Sequence, residues 1–313
     1  MDLHPTSQQE ELRQASIDWL QDNMPLADAR ARPPCAWADM AEMGWFGITA
    51  PEKLGGLGLD HATEILIFAE LGRYLAPIGA IAAAVAGRWV EAGQATDIIA
   101  GQARIALGLR ERKNKLRVLD ATGASRVLVA EQSQSCLLEL PNGTEAIPGL
   151  DLSTPQFVLP GTALRSTTTL PATVSQHQQL LVASYELGAA EAARDMAADY
   201  AKLREQFGQP IGAFQAIKHL CADMAVRCFA ARAQLLYAAC ALDEGQIGAG
   251  FHIAVAKRLA TQAAIANTEA NIQVHGGIGM TDEARPHLPL KRAHLLRFIS
   301  PAPISAVLER PAA

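Results

Sequence analysis

The sequence is poor in aromatic residues and carries no excess of positive charge. Aromatic residues make up 5% of the 313 residues, whereas half of the chain is hydrophobic and alanine is prominent in it. Many alanines with few aromatics favour closely packed helices over a β-sandwich. The formal net charge of −5 indicates no nucleic-acid-binding surface. We therefore expect a helix-rich protein without a nucleic-acid partner.

A long apolar run and a cysteine framework are also missing. No stretch of about 18 apolar residues occurs, so we expect no membrane span. The polar N-terminal segment MDLHPTSQQEELRQ is unlike a signal peptide. The cysteines are odd in number and scattered, at Cys35, Cys136, Cys221, Cys228 and Cys240. Their spacing favours small buried side chains over a metal site or a disulfide. These absences predict a reduced, cytoplasmic protein.

Apolar stripes at helical spacing run through residues 1–101. Ser7 is the expected N-cap of the first helix. The Gly-rich loop PEKLGGLGLD, at 51–60, has neither the Gly-x-Gly-x-x-Gly spacing nor the Lys-Ser/Thr pair of a phosphate-binding loop. We therefore predict that it is a tight structural turn.

The pattern changes in the middle of the chain and then becomes helical again. About six short β-rich runs, among them ARIALGL, SRVLVAE and PQFVLPG, are separated by turn signals such as NG and PG. After them, one long helix is predicted to run to Phe207, GQPIG interrupts it, and further long helices follow. This order predicts an α+β chain with an N-terminal helical domain (1–101), a small central β domain (102–172) and a C-terminal antiparallel helical bundle (173–313).

A group of glycines ends the last long helix, in the stretch EANIQVHGGIGMTDE (269–283). Glycine at a helix end permits a positive φ and satisfies the last carbonyl groups. Without a Cβ, glycine also allows a ligand to approach the backbone closely. This stretch alone does not decide between the two uses.

Two motifs, REQFGQPIGAFQAIKH and NIQVHGGIGMTDEARPHLPLKRA, resemble those of the acyl-CoA dehydrogenase family. The N-terminal stretch MGWFGITAPEKLGGLGLDHATEILIFAELGR is similar to that family as well, so the resemblance covers nearly the whole chain. It implies a helical–β–helical fold, an FAD cofactor at a subunit interface, and introduction of an α,β double bond into an acyl-CoA thioester.

The resemblance also implies which residues contact the nucleotide part of FAD. Arg204 is implied to bind the pyrophosphate, because a guanidinium group can form two parallel hydrogen bonds to it. Phe207 is implied to pack on the cofactor and Gln215 to donate a hydrogen bond. The complete implied cofactor-binding set is Arg204, Phe207, Gln215, Gln273, Val274, His275, Gly276 and Gly277.

The sequence departs from the family where a base must remove the α proton. Ser300, in FISPAP, stands at the position of the family's usual catalytic Glu. A second position used in the family, 26 residues before Arg204 (204 − 178), holds Gln178. A lone hydroxyl and a carboxamide have no useful proton affinity near neutral pH. We therefore expect no catalytic residue in this chain.

The β domain is reduced in the same way. No Trp occurs between residues 100 and 172, nor does the acidic Pro-Gly-Ser run with which the family holds the flavin ring. The pattern resembles the short subunit of the heteromeric acyl-CoA dehydrogenases of sterol and steroid catabolism. In those heterotetramers a degenerate chain pairs with a full-length chain that carries the catalytic Glu, and each mixed pair shares one FAD.

The implied partners are thus a full-length acyl-CoA dehydrogenase subunit, an acyl-CoA substrate and an electron-transfer flavoprotein. Two alternatives stay open at this point. In the first, the chain is a self-sufficient homo-oligomeric enzyme with another carboxylate as base, such as Glu186. In the second, it is a structural subunit that has lost FAD. The retained nucleotide-contact residues argue against the second alternative.

Overall fold

The computed structural model describes residues 3–29, 36–131, 135–141, 146–147, 149–160 and 166–302. Helices form both ends of the chain and a sheet lies between them, which confirms the predicted α+β class. The helices are α1 (Ser7–Asn23), α2 (Ala36–Glu42), α3 (His61–Arg73), α4 (Gly79–Trp89), α5 (Ala92–Ile99), α6 (Thr173–Leu203), α7 (Gln215–Asp243), α8 (Ala249–His275) and α9 (His287–Leu296). The division into domains at 101 and 172 stays a prediction.

Capping at the first helix differs by one residue from the prediction. Thr6, not Ser7, is the N-cap of α1. Its hydroxyl accepts from Gln9 N at 3.2 Å, and Gln9 Oε1 accepts from Thr6 N at 2.9 Å. This reciprocal pair is a capping box, which satisfies two backbone donors at once. Thr6 and Ser7 are both suitable caps, and the Gln three residues after Thr6 decides between them.

The Gly-rich loop is a structural turn, as predicted. Gly55 and Gly58 adopt positive φ values of 88° and 62°. A Cβ on Gly56 would lie 2.2 Å from the carbonyl oxygen of Ala50. The glycines are therefore required by the path of the chain itself.

The central strands form a mixed six-stranded sheet with the order β5-β2-β1-β3-β4-β6. The strands are β1 (Ile105–Glu111), β2 (Lys115–Leu119), β3 (Arg126–Ala130), β4 (Ser135–Glu139), β5 (Gln156–Pro160) and β6 (Ser166–Leu170). β1 and β3 are parallel and the other neighbours are antiparallel. Alternate residues face opposite sides: Ile105 and Leu107 pack on the helical core, while Ala106 belongs to a second apolar cluster on the other face.

The C-terminal helices α6, α7 and α8 pack into a bundle with an alanine-rich core. Alanines such as Ala231, Ala256 and Ala263 fill the contacts between these helices, which lets the backbones approach closely. α3 crosses α6 at two glycines: a Cβ on Gly188 would lie 1.8 Å from Ala69 O, and one on Gly72 would lie 2.1 Å from Tyr185 O. The N-terminal helices are thereby held tightly against the bundle.

Within the described ranges, α7 alone has the length and composition of a membrane-crossing helix. It packs along α6 and α8, as a bundle helix does. The thiols of Cys136, Cys221, Cys228 and Cys240 are free, and Cys35 lies outside the described residues. Burial raises the pKa of Cys228 to about 12, so this thiol stays protonated near neutral pH.

Candidate functional site

Arg204 and Phe207 lie on a small hairpin at the end of α6, not on the helix itself. The prediction of a helix to Phe207 was wrong, because α6 ends at Leu203. β7 (Glu205–Gln206) pairs with β8 (Gln209–Pro210) through a two-residue loop. Both loop residues have positive φ, 54° at Phe207 and 78° at Gly208, as a type I′ hairpin turn requires.

The backbone at Phe207 is strained and its ring faces solvent. A bulky residue with positive φ costs about 1–3 kcal/mol. The ring is 92% exposed, and its one described aromatic neighbour is Phe214, 6.1 Å away between ring centroids. Internal packing therefore does not account for an aromatic side chain at this position. Contact with a surface ligand or a partner chain would account for it.

The glycines after α8 have separate roles. Gly276 has φ 65° and ψ −148°, a combination open only to glycine, and it ends the helix. Gly279 is buried, and a Cβ there would lie 3.0 Å from His275 Cβ. The fold does not require glycine at position 277: its φ is not positive, and nothing lies within 4 Å of a Cβ built on it. Its open backbone fits the close approach of a cofactor.

An aromatic contact brings the hairpin and the end of α8 together. Tyr200, one turn before Arg204, stacks on His275 with ring centroids 4.1 Å apart and an interplanar angle of 22°. His275 Nδ1 lies 2.9 Å from Asn271 O. Burial lowers the pKa of His275, so the ring is neutral near pH 7. A Tyr four residues before the predicted arginine is a signal that the sequence reasoning missed.

The predicted cofactor-binding residues divide into two groups by exposure. The exposed members are Arg204, Phe207, Gln215, Gln273, Gly276 and Gly277, and His275 is half-buried. Val274 is 4% exposed and packs in a cluster with Ala197, Ala201 and Met224. Its side chain belongs to the core, so Val274 offers a cofactor only its backbone. Gln215 is the first residue of α7 and does not cap it.

These residues fit the nucleotide end of FAD. Arg204 is exposed, so its guanidinium fork is accessible to a pyrophosphate. Exposed amide groups of Gln215 and Gln273 and the open backbone at Gly277 lie at the same end of the bundle. The donor set suits a phosphate-bearing cofactor bound at the surface.

The two positions that the resemblance predicts for a base meet each other in the fold. Gln178 Nε2 donates to Ser300 Oγ at 2.7 Å, across 122 residues of sequence. Gln179 Nε2 donates to Ser300 O at 3.0 Å and to Pro301 O at 3.3 Å. Ser300 itself has a positive φ of 46°. The point from which a base would act is therefore occupied by two neutral groups that bind each other.

The carboxylates close in sequence to Gln178 are already paired. Glu186 is fully buried, with Lys257 Nζ at 2.9 Å and Thr261 Oγ1 at 2.7 Å. Burial raises the pKa of Glu186 against the attraction of Lys257, and the residue is 0% exposed. Glu191 accepts two hydrogen bonds from Arg232, at 2.9 and 2.6 Å. Both carboxylates are thus buried and held by cations of the bundle.

A third buried carboxylate, Glu64, lies between two histidines. Its Oε2 is 2.7 Å from His177 Nε2 and 3.0 Å from His61 Nδ1. Trp89 Nε1 donates to His177 Nδ1 at 3.2 Å, so the proton of the neutral His177 ring is on Nε2 and points at Glu64. Burial alone would raise the pKa of Glu64, but the histidines outweigh it and lower the pKa to about 2.

This cluster suits a buried hydrogen-bonded carboxylate better than a metal or a base. A metal ligand at His177 Nε2 would have to lose the proton that the Trp89 contact assigns to it. A carboxylate with a pKa near 2 is also a poor acceptor for a carbon-bound proton. We therefore assign the His61–Glu64–His177 cluster to the stability of the contact between α3 and α6.

Comparison with known proteins identifies the family. The N-terminal domain of acyl-CoA dehydrogenases matches residues 6–93 and the C-terminal domain matches residues 172–300. IpdE2 of Mycobacterium tuberculosis, an acyl-CoA dehydrogenase, is 32% identical over 280 residues, which cover 86% of this chain and 83% of IpdE2. The chain belongs to the acyl-CoA dehydrogenase family, whose members are FAD-dependent oxidoreductases acting on acyl-CoA.

Another relative and two solved structures are also similar to this chain. FadE34 of Mycobacterium tuberculosis is 32% identical over 276 residues, but the match covers only 39% of FadE34. The ChsE4–ChsE5 complex of the same organism superposes with a TM-score of 0.82 at 20% identity over the whole of both chains. A variant of the Tcur3481–Tcur3483 steroid acyl-CoA dehydrogenase gives 0.80 at 22% identity over 96% of each chain. At these identities, the solved structures show a common fold.

Proposed function

We propose that this chain is the nucleotide-binding, non-catalytic subunit of a heteromeric acyl-CoA dehydrogenase that carries out α,β-dehydrogenation of an acyl-CoA thioester. The observation that carries the proposal is the hydrogen bond between Gln178 and Ser300. Both positions for a base are filled by a neutral pair, while the residues for the FAD nucleotide stay exposed on the surface. The chain thus offers one half of a cofactor site and no base.

In this proposal the work is divided between two chains. FAD, when bound, accepts the hydride from the β carbon of the substrate. This chain contributes the Arg204 fork, the Gln215 and Gln273 amides and the open backbone at Gly277. A full-length acyl-CoA dehydrogenase chain contributes the Glu that takes the α proton and the contacts to the flavin ring. An electron-transfer flavoprotein is the proposed acceptor.

The exposed surface of the bundle supports a partner of this kind. Only 33% of the most apolar part of α7 is buried. Val226 and Phe229 on this helix are 66% and 76% exposed, and Leu203 next to the hairpin is 81% exposed. Val226 and Phe229 lie about one turn apart on the same face of α7, and an exposed apolar face of this kind suits a contact with another macromolecule.

The similarity to steroid-type complexes supports further parts of the proposal. We propose a steroid-derived acyl-CoA as substrate, a heterotetramer as the assembly and the cytoplasm as the location. IpdE2 and the ChsE4–ChsE5 and Tcur3481–Tcur3483 complexes are the relatives that support them. The alternative of a self-sufficient enzyme is less well supported, because Glu186 is held by Lys257 and Thr261 in the core.

Arg204→Ala is expected to lower the FAD content of the assembled protein. The substitution removes charge-assisted hydrogen bonds to the pyrophosphate, worth about 1.5–3 kcal/mol, so retention weakens about ten- to hundredfold. The measurement is the flavin-to-protein ratio after dialysis. Lys202→Ala is the matched control, since Lys202 is an exposed cation at the same helix end that pairs with Asp199. Equal flavin content in the Arg204 variant and the control would contradict the assignment.

Gln178→Ala and Ser300→Ala are each expected to leave turnover of the assembled enzyme within a few-fold of wild type. Neither side chain has a proton affinity that serves catalysis near pH 7. Because Gln178 is buried, removing either partner of their hydrogen bond is expected to cost about 1–3 kcal/mol of stability. Steady-state dye reduction and thermal unfolding measure the two effects. A fall in turnover of about a hundredfold, the lower range for a general base, would show that one of them takes part in chemistry.

A further inference from the structure

The helix α7 presents apolar residues on two opposite faces. The inner face, which includes Met224, Ala231 and Leu235, is buried against α6 and α8. On the outer face, Val226 and Phe229 are exposed. A helix that is apolar on both sides needs a packing partner on each of them. The described bundle covers the inner face, so the outer face is open to another chain.

The outer face has the residue spacing of a seam between two helices. Its positions alternate at intervals of three and four residues, the repeat with which paired helices interlock their side chains. These positions form the α7 seam: His219, Ala222, Val226, Phe229, Ala233, Leu236, Cys240 and Asp243. The first five and the last are exposed, and Leu236 and Cys240 are half-buried. Because the repeat runs along most of α7, the surface fits another long helix.

The two ends of the α7 seam carry opposite charges. Lys218 and His219 lie at the N-terminal end, Asp243 and Glu244 lie at the C-terminal end, and all four are exposed. Two copies of α7 packed in parallel would bring like charges together at both ends, which is unfavourable. In an antiparallel pair, each basic end meets an acidic end. The charges therefore favour an antiparallel second copy.

A twofold axis at the level of Ala231 matches the whole seam with itself. In such an arrangement, each residue meets the one that is equally far from the axis on the other copy. Phe229 and Ala233, two residues on either side of the axis, pair a large side chain with a small one, as close packing requires. The remaining pairs are Val226 with Leu236, Ala222 with Cys240, His219 with Asp243, and Lys218 with Glu244.

A cavity of about 260 Å³ lies at the acidic end of the seam. Its lining includes Leu236, Cys240, Asp243 and Glu244. A lysine suits this site, because its methylene stem packs on apolar surface while its ammonium group reaches a carboxylate. Asp243 already accepts hydrogen bonds from two backbone N–H groups at the start of α3, at 2.9 and 3.1 Å. Glu244 is therefore the expected partner for Lys218 of a second copy.

We propose that the α7 seam is the surface on which a second copy of this chain docks, with the two α7 helices antiparallel across a twofold axis. The same patch is used on both copies, so the contact closes on two chains and forms no filament. In a heterotetramer it joins the two mixed pairs and leaves the half-site at Arg204 to the unlike chain. That role rests on the proposed function, whereas the docking itself does not.

Sedimentation velocity of the purified full chain tests the docking, and we expect a dimer at micromolar concentration. Phe229→Glu places a carboxylate at the apolar centre of the seam and should weaken the dimer about thirtyfold or more, the effect of losing a central anchor residue. Because Phe229 is exposed in the single chain, the variant should keep its fold, which circular dichroism checks. Ile247→Glu is the matched control: Ile247 is 93% exposed but lies off the seam, so this variant should stay dimeric.

Charge reversal tests the antiparallel register. Lys218→Glu and Glu244→Lys should each weaken the dimer about three- to tenfold, because each places like charges opposite each other at both ends of the seam. The double variant has opposite charges at both ends again and should recover the wild-type affinity. A parallel pair of helices, or a contact through another surface, would show no such recovery.

Three results with the lone chain would overturn the inference: a wild-type chain that is monomeric at high micromolar concentration, a Phe229→Glu variant that dimerises as well as its control, or a double charge variant without recovery. In the assembled complex, Phe229→Glu should halve the mass and leave the flavin-to-protein ratio unchanged. Separation of the unlike chains with loss of flavin would assign the seam to the full-length subunit, which overturns this inference and leaves the proposed function standing. Failure to assemble with any full-length subunit would contradict the proposed function, and the lone-chain measurements would still decide the docking.

Discussion

The chain purified without a partner is expected to be nearly colourless and to reduce no dye with any acyl-CoA. It has an Arg204 fork and an open backbone at Gly277 for the nucleotide end of FAD. In the proposal it supplies no base, because Gln178 and Ser300, at the two positions predicted for one, bind each other. The measurements are the flavin absorbance of the lone chain and its rate of dye reduction.

The expected loss of bound FAD from the lone chain follows from the division of the cofactor site between two chains. Contacts to a shared cofactor are split between two chains, and each loss of about 1.4 kcal/mol weakens binding tenfold. A few missing hydrogen bonds to the flavin ring are therefore enough to empty the site at micromolar protein. The uncovered apolar face of α7, with Phe229 76% exposed, also favours self-association of the lone chain.

Addition of a full-length homologue carrying the Glu should restore both colour and activity. Because each mixed pair shares one cofactor site in the proposal, about one FAD should bind for each pair. The matched control is the same homologue with that Glu replaced by Gln, which should restore colour alone. Stoichiometric flavin together with steady turnover in the lone chain would contradict the proposal of a shared cofactor site. It would support the self-sufficient alternative.

The sequence predicts the local elements well where side-chain periodicity decides them. The β-rich runs at 102–172 become strands whose consecutive apolar residues are buried on both faces, so that Leu107 faces the helical core and Ala106 the opposite cluster. The long helix ends at Leu203 and not at Phe207, because Gly208 and Pro210 favour a hairpin whose turn forces positive φ on Phe207. The apolar spacing of the residues before the turn does not reveal where the helix ends.

Contacts between distant residues are the part that the sequence does not reveal. Nothing in the residues around Glu186, named above as an alternative base, points to its partner Lys257, which is 71 residues away and buried with it. Ser300 and Gln178 were each identified from a motif, but the hydrogen bond between them follows from the packing of α9 against α6. Val274 lies inside a motif and still points into the core.

Arg292→Met is expected to cause the largest loss of stability among single substitutions considered for this chain. Arg292 is 1% exposed and joins all three parts of the fold. Its Nε donates to Asp151 Oδ2 at 2.5 Å, Nη2 to Ser153 Oγ at 2.8 Å, and Nη1 to Ala76 O at 2.9 Å and Tyr185 Oη at 3.1 Å. Removing one partner of a buried ion pair costs about 3–5 kcal/mol, a large share of a typical free energy of unfolding.

The loss arises because Asp151 stays buried without its cation. Burial alone would raise the pKa of Asp151, but Arg292 and the hydrogen bonds from Ser153 and Thr154 together outweigh burial and lower it. The wild-type stabilisation is therefore present above the unfolded carboxyl pKa of about 4 and is lost on acidification. Urea unfolding at pH 7 measures the effect. Arg110→Met, which breaks an exposed pair with Glu131, should cost under about 1 kcal/mol. A similarly small loss for Arg292→Met would show that the buried network does not hold the three parts together.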